Sequence, residues 1–129
     1  MRKTWALRAA TLTLGATAAL GLAVGSAGAA TAPSILQLGD TGPSVKCVQQ
    51  GLNLANSANL VVNGTFDQAT YKAVVAFQQG LTTVSTTGKV DPLTGNAIFG
   101  IIDMQAISTQ GLDLIQWEQN CMYQIPHTY

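Results

Sequence analysis

Charged residues are scarce in this sequence, and arginine is absent beyond position 8. Only 9% of the residues are Asp, Glu, Lys or Arg. Residues 30–129 keep three lysines against five aspartates and one glutamate, a net charge of −3. A nucleic-acid-binding surface needs clustered Lys and Arg side chains that displace counterions from phosphates. The shortage of cations therefore argues against a nucleic-acid partner.

The chain contains a single histidine, His127. A catalytic zinc site takes about three protein ligands of His, Asp or Glu type, or Cys. A Cys–His nucleophilic pair needs a free thiolate beside an imidazole, and glycan hydrolysis by acid–base chemistry needs two opposed carboxyl groups. No such set is visible in the sequence. We therefore expect a protein without a catalytic centre, a metal or a cofactor.

The first 29 residues have the three-part layout of a secretory signal peptide. Three positive charges precede an uncharged apolar run over residues 9–24, and Ala27-Gly28-Ala29 forms an A-x-A cleavage site. A membrane anchor is the competing interpretation, but the run is shorter than the roughly 20 residues that a spanning helix needs. We expect cleavage near Ala29 and a secreted protein, extracellular or associated with the cell wall, with no membrane attachment after processing.

Cys47 and Cys121 are the only cysteines. Disulfides persist outside the cytosol, so the export signal favours a bridge between them. Two free thiols are the alternative, and a metal pair would need further ligands. The bridge would close a long loop, which is worth roughly 4 kcal/mol in the chain-entropy model.

A turn-helix motif occurs twice, 24 residues apart. Residues 64–74 and 88–98 share the pattern G-x-[FV]-D-x-x-T-x-x-A-[VI]. In each copy the glycine permits a tight turn. Asp67 or Asp91 can then accept a hydrogen bond from a free amide of the first helical turn. Both aspartates are predicted to be helix caps.

Apolar residues at helical spacing predict a first helix after Pro43. One stripe of apolar side chains on this helix should face the core. That stripe consists of Val45, Val48 and Leu52. A second stripe lies on a neighbouring face of the same helix, and we expect the C-terminal segment that carries Cys121 to cover it. Its members are Cys47, Gly51 and Leu54.

The remaining elements follow from the same patterns. Asn53–Asn59 is predicted to be a loop of small polar residues. A third helix should run from Pro92 to about Ile98 and should be short, since Gly95 weakens it by nearly 1 kcal/mol relative to alanine. Residues 103–129 carry two apolar stretches around a polar turn, which favours a β-hairpin. A helix from Leu112 to Asn120 is the alternative.

Three motifs stand in order within residues 35–101, at spacings typical of one family. They are L-G-D-x-G-x-x-V-x-x-V-Q-x-x-L from Leu38, N-G-x-F-x-x-x-T-x-x-A-V-x-x-F-Q from Asn63, and G-x-V-x-P-x-T-x-x-A-I from Gly88. Together they closely resemble the small three-helix peptidoglycan-binding domain appended to many bacterial cell-wall hydrolases. The chain departs from the family pattern at three positions. The family usually has Asp at the position of Asn63 and Gly at that of Asp67, and often Trp or another large residue at that of Gly95.

The resemblance implies a mainly α fold, a compact three-helix domain built on the repeated turn-helix motif. We expect a signal peptide at 1–29, this domain at 34–102, and a C-terminal extension at 103–129 tied back by the disulfide. The implied function is that of a secreted, stand-alone, non-catalytic module that binds peptidoglycan through its peptide stem, with a separately encoded hydrolase as a further partner. One alternative is an interaction protein that binds a protein partner in the wall or an extracellular enzyme. Another is an enzyme with an unusual site in the extension.

We expect the first repeat to carry the ligand and the second to be mainly structural. The exposed positions of the first repeat offer an amide, a hydroxyl, an aromatic face and a cation for a peptide carboxylate. These are Asn63, Thr65, Tyr71 and Lys72. The alternative for Tyr71 is a packing role as the hydrophobic-staple partner of Phe66.

Overall fold

The computed structural model describes residues 32–128, and these residues are mainly helical. Four helices follow one another along the chain: α1 (Pro43–Asn56), α2 (Gln68–Gln79), α3 (Pro92–Thr109) and α4 (Leu112–Cys121). In place of a sheet, two isolated antiparallel bridges join Leu36 to Val90 and Thr41 to Thr65 within this range. The predicted mainly α fold is confirmed. The predicted signal peptide lies outside the described residues.

Helix α1 is the central element, because it contacts each of the other three helices. Val45, Val48 and Leu52 on its core face are fully buried, as predicted. The helix continues to Asn56 and ends at Ser57, which takes a left-handed conformation with φ of 50°. The prediction of a loop from Asn53 is therefore wrong for residues 53–56. Asn53 continues the helix, and its side chain hydrogen-bonds to the backbone of Leu60.

The two copies of the repeated motif begin α2 and α3 in the same way. Asp67 Oδ1 accepts a hydrogen bond of 2.8 Å from the Thr70 amide, and Asp91 Oδ1 accepts one of the same length from the Thr94 amide. The preceding glycines, Gly64 and Gly88, have φ of 75° and 71°, a region that other residues rarely adopt. Both predicted helix caps are thus formed.

Helix α3 is much longer than the sequence pattern predicts. It has 18 residues and extends through position 102, the predicted end of the family-like domain, to Thr109. The reason is burial, since Phe99, Ile102 and Ala106 continue the buried face of Ile98 for two further turns. Tertiary packing therefore outweighs the low helix propensity of Gly95.

The β-hairpin predicted within residues 103–129 is wrong, and the helical alternative is correct. Leu114, Trp117 and Cys121 lie at i, i+3 and i+7 on α4, and all three are buried on one side of the helix. A spacing of three to four residues places side chains on one face of a helix, whereas a strand alternates them between faces. The spacing of the buried residues in this segment therefore fits a helix and does not fit a strand.

The predicted disulfide between Cys47 and Cys121 is formed. It links α1 to the last residue of α4, across a sequence separation of 74 residues. Next to it, the Trp117 ring packs so closely on Gly51 that a Cβ there would overlap the ring carbons. The C-terminal segment thus covers the second apolar stripe of α1, as we expect from the sequence.

Gly95 makes room for the chain after α4. A Cβ at this position would collide with the backbone carbonyl of Pro126, and Ile125 beside it is fully buried. Two hydrogen bonds between Asn96 and Thr128 fasten the same segment to α3. The C-terminal segment therefore lies against the face of α3 that Gly95 leaves open.

Helices α3 and α4 bring two carboxyl groups together. Asp103 on α3 faces Glu118 on α4, and the pKa of Glu118 is raised above its ordinary value of 4.5. Partial burial is the first cause, and the second is Asp103, which accepts a hydrogen bond from protonated Glu118 and repels its ionised form. The pair therefore favours the folded state only while Glu118 keeps its proton.

Replacing Gly95 by alanine should destabilise the protein, although helix propensity alone predicts a gain. The new methyl group meets the Pro126 backbone, and overpacking of this kind costs about 1 to 3 kcal/mol of unfolding free energy. Gly100 is the matched control, because it lies on the same helix with open space around its Cβ. Gly100→Ala should raise the unfolding free energy by up to about 1 kcal/mol. Urea denaturation in which both variants become more stable would contradict this packing.

Glu118→Gln should stabilise the protein at pH 7 and change it little at pH 4. A pKa raised in the folded state gives a contribution that is complete below the unfolded pKa and is lost as pH rises through the folded pKa. The parent should therefore lose this contribution above about pH 4.5, whereas the variant should not. Thermal melts across pH 4 to 7 measure the difference. An unchanged or lower midpoint for the variant at pH 7 would show that the two carboxyl groups do not oppose each other.

Candidate functional site

A buried glutamine on α1 holds the turn that leads into α2. Gln49 is 1% exposed. Its Nε2 group donates to the Asn63 side-chain oxygen, the Thr65 carbonyl and the Thr70 hydroxyl at 2.9 to 3.0 Å. Its Oε1 atom accepts from the Gly64 amide at 2.9 Å. One side chain thus fixes the entry turn and the first turn of α2.

Gln78 on α2 does the same for the turn that leads into α3. Its Nε2 group donates to the Lys89 carbonyl at 2.8 Å and to the Thr94 hydroxyl at 3.0 Å. Its Oε1 atom accepts from the amides of Thr87 and Gly88. The two copies of the motif therefore share a hydrogen-bonding arrangement as well as a sequence pattern: in each, a buried glutamine bonds to the turn glycine and to the threonine of the next helix.

The sequence-based predictions above do not include the role of these two glutamines. The available signal was the pattern [VF]-Q-x-x-L, which occurs at residues 48–52 and again at 77–81. Glutamine is usually exposed, so a glutamine flanked by core residues in both copies indicates a buried, fully bonded amide.

Loop 57–63, between α1 and α2, is held in a defined shape. Asn53 binds Leu60 twice: its Nδ2 group donates to the Leu60 carbonyl at 2.9 Å, and its Oδ1 atom accepts from the Leu60 amide at 2.7 Å. Ser57 and Asn59 both adopt positive φ. These features turn the chain so that the loop forms a wall opposite α2.

A groove lies between this loop and α2. It consists of two adjoining cavities of about 260 and 370 Å³, which share Asn59, Leu60 and Ala69. Ala69, Ala73 and Ala76 on α2 have small side chains and leave the groove open. The more enclosed cavity reaches the entry turn and α2 start at Asn63, Asp67 and Thr70. The other extends along α2 past Lys72 to Ala76.

The groove carries one charge of each sign. The Thr70 backbone amide, followed by the Thr70 hydroxyl, lowers the pKa of Asp67, and the Asn63 side chain acts in the same direction. Asp67 is therefore ionised at neutral pH. Lys72 is exposed and makes no hydrogen bond or ion pair with another described residue. Asp67 is the N-cap of α2 and Lys72 is its fifth residue, so their backbone positions differ by five helical rises, about 7.5 Å along the axis.

The structure places two of the four predicted ligand residues in this groove. Asn63 and Lys72 line it, whereas Thr65 and Tyr71 do not. The Asn63 oxygen also accepts from Gln49 and from the Thr65 amide, so this residue supports the turn. The Tyr71 ring lies against Gly88, where it fills the space of a missing side chain. Contact with a ligand stays a prediction for all four.

Among residues 32–128, no group of three or more His, Cys, Asp and Glu side chains could hold a metal ion. No helix in this range has both the length and the apolar composition needed to cross a membrane.

Gln78→Ala should destabilise the protein, whereas Gln79→Ala should not. Removing the buried amide leaves the Gly88 amide and the Lys89 carbonyl without partners, at a cost of about 1 to 3 kcal/mol of unfolding free energy. Gln79 is the neighbouring exposed glutamine on the same helix, and its truncation should stay within about 0.5 kcal/mol. Equal denaturation midpoints for the two variants would rule out the role assigned to Gln78.

Comparison with known proteins agrees with the turn-helix geometry. Residues 41–98 match the model of a family described as "putative peptidoglycan binding domain". The matched range runs from the turn before α1 into the first half of α3, and it contains Gln49, Gln78, the groove and both capping aspartates. Comparison with curated proteins and with solved structures gave no match. The similarity to the putative peptidoglycan-binding domain family therefore covers residues 41–98 of this chain.

Proposed function

We propose that this protein is a secreted, non-catalytic module that binds bacterial peptidoglycan by its peptide stem. The groove between loop 57–63 and α2 is the observation that carries the proposal. It lies inside the range matched to the peptidoglycan-binding family, and it offers an extended depression with one cation and one anion.

The shape of the groove suits a peptide better than a compact ligand. Its two cavities run along α2 from the entry turn to Ala76, and the alanines leave a shallow floor. Loop backbone groups and the amide side chains of Asn59 and Asn63 can hydrogen-bond to a peptide backbone. Lys72 supplies a cation for a stem carboxylate.

Secretion is the part of the proposal that rests on the sequence before residue 30. The charged start, the apolar run and the A-x-A site support export. A wall ligand and a disulfide are both consistent with an extracellular location. A non-catalytic role rests on the family, which is described as a binding domain.

A second candidate function is the binding of a protein partner, such as a separately encoded wall hydrolase. The observation in its favour is the apolar surface of α3 and α4, where Met104, Ile107 and Leu112 are 73%, 82% and 79% exposed. Scattered exposed apolar residues are common on proteins, so this surface supports the alternative less strongly than the groove supports wall binding. Sedimentation with purified wall, free of protein, separates the two.

Lys72→Ala should weaken co-sedimentation with purified peptidoglycan about two- to fivefold, the value of an exposed ion pair. Lys89→Ala is the matched control, since it removes the same charge from an exposed position outside the groove. It should bind as the parent does. Raising the salt concentration should reduce the difference between the two variants.

Two results would contradict this proposal. If the parent does not sediment with peptidoglycan at low salt, the function is wrong. If Lys72→Ala and Lys89→Ala bind equally, the groove is not the site, whatever the affinity of the parent.

A further inference from the structure

We propose that Asp67 binds a free amino group of the peptide stem, so that the groove selects stems that are not cross-linked. This inference rests on the proposed function and names the form of the ligand. Cross-linking turns the side-chain amine of a stem diamino residue into an amide and removes its positive charge. A carboxylate in the groove would therefore distinguish the two forms.

The carboxylate of Asp67 has capacity left for a ligand. Its Oδ1 atom accepts both hydrogen bonds from Thr70, at 2.8 Å from the amide and 3.0 Å from the hydroxyl. An ionised carboxylate has about four acceptor positions on two oxygens, and both Thr70 bonds fall on Oδ1. The Asn63 side chain and the Ala69 amide also act on this carboxylate and help to lower its pKa. Asp67 is partly exposed and lines the more enclosed cavity of the groove.

Asp67 and Lys72 together match a ligand that carries both charges. Both line the groove, and their backbone positions differ by about 7.5 Å along α2. A stem whose amine-bearing residue is followed by a terminal carboxylate carries one charge of each sign, which Asp67 and Lys72 would pair. A neutral glycan would use neither side chain as an ion.

Capping alone does not explain why a carboxylate stands at position 67. Asn caps a helix about as well as Asp does. Asp91 makes the same capping bond in the second repeat without lining the groove. Asp67 lines the groove, whereas Asp91 lies outside it. Comparing substitutions at these two aspartates therefore distinguishes the effect of the helix cap from the effect of a charge in the groove.

The test combines one substitution with one chemical change in the ligand. Asp67→Asn keeps the cap and removes the charge, and Asp91→Asn makes the same change outside the groove. Each protein is titrated with an uncross-linked muropeptide that carries a free side-chain amine, and with the same muropeptide after N-acetylation. Circular dichroism checks the fold of both variants.

We expect acetylation to weaken binding by the parent and by Asp91→Asn about two- to fivefold, the scale of an exposed ion pair. Asp67→Asn should bind both muropeptides equally, at the lower affinity. If Asp67→Asn fails to fold, the comparison of the two muropeptides on the parent and Asp91→Asn still decides. Loss of affinity on acetylation supports the inference, and equal affinity overturns it.

The result is distinguishable from failure of the proposed function. Equal binding of both muropeptides, together with weaker wall binding by Lys72→Ala, would overturn amine selection and keep the groove as the site. Absence of any binding to wall or muropeptide by the parent would overturn both.

Discussion

Two buried glutamine side chains hold successive helices of this protein together by hydrogen bonds. Gln49 and Gln78 each lie within one helix and bond to the entry turn of the next, so that α1 positions α2 and α2 positions α3. A buried amide is costly when unbonded and directional when bonded, which makes it a precise constraint in a small core. Because Gln49 also holds Asn63 and Gly64, the same interaction fixes one end of the groove.

Local features were predictable from the sequence, and features that depend on distant segments were not. The caps at Asp67 and Asp91 follow from neighbouring residues. The disulfide is the exception among distant contacts, because the sequence contains only two cysteines that could pair. The length of α3 depends on burial of Phe99 and Ile102, and the helical form of α4 on packing against α1. Asn63 and Lys72, two of the four residues predicted to bind the ligand, line the groove. Its other wall depends on the hydrogen bonds between Asn53 and Leu60, which the sequence does not predict.

The C-terminal segment completes the domain. Its buried residues, among them Trp117 and Ile125, belong to the same apolar cluster as the core of α1. The disulfide closes a loop of 74 residues and so contributes about 4 kcal/mol in the chain-entropy model. A Cβ at Gly95 would collide with the backbone of Pro126, so the missing side chain leaves room for this segment.

We propose that the wall ligand lies between loop 57–63 and α2. Amide chemical-shift mapping by NMR, with a soluble muropeptide titrated into the labelled protein, would locate the bound ligand on the protein. We expect the largest shifts on Asn59, Leu60, Ala69, Lys72 and Ala73, which line the groove. Saturable shifts confined to α3 and α4, with the loop and α2 unchanged, would contradict it.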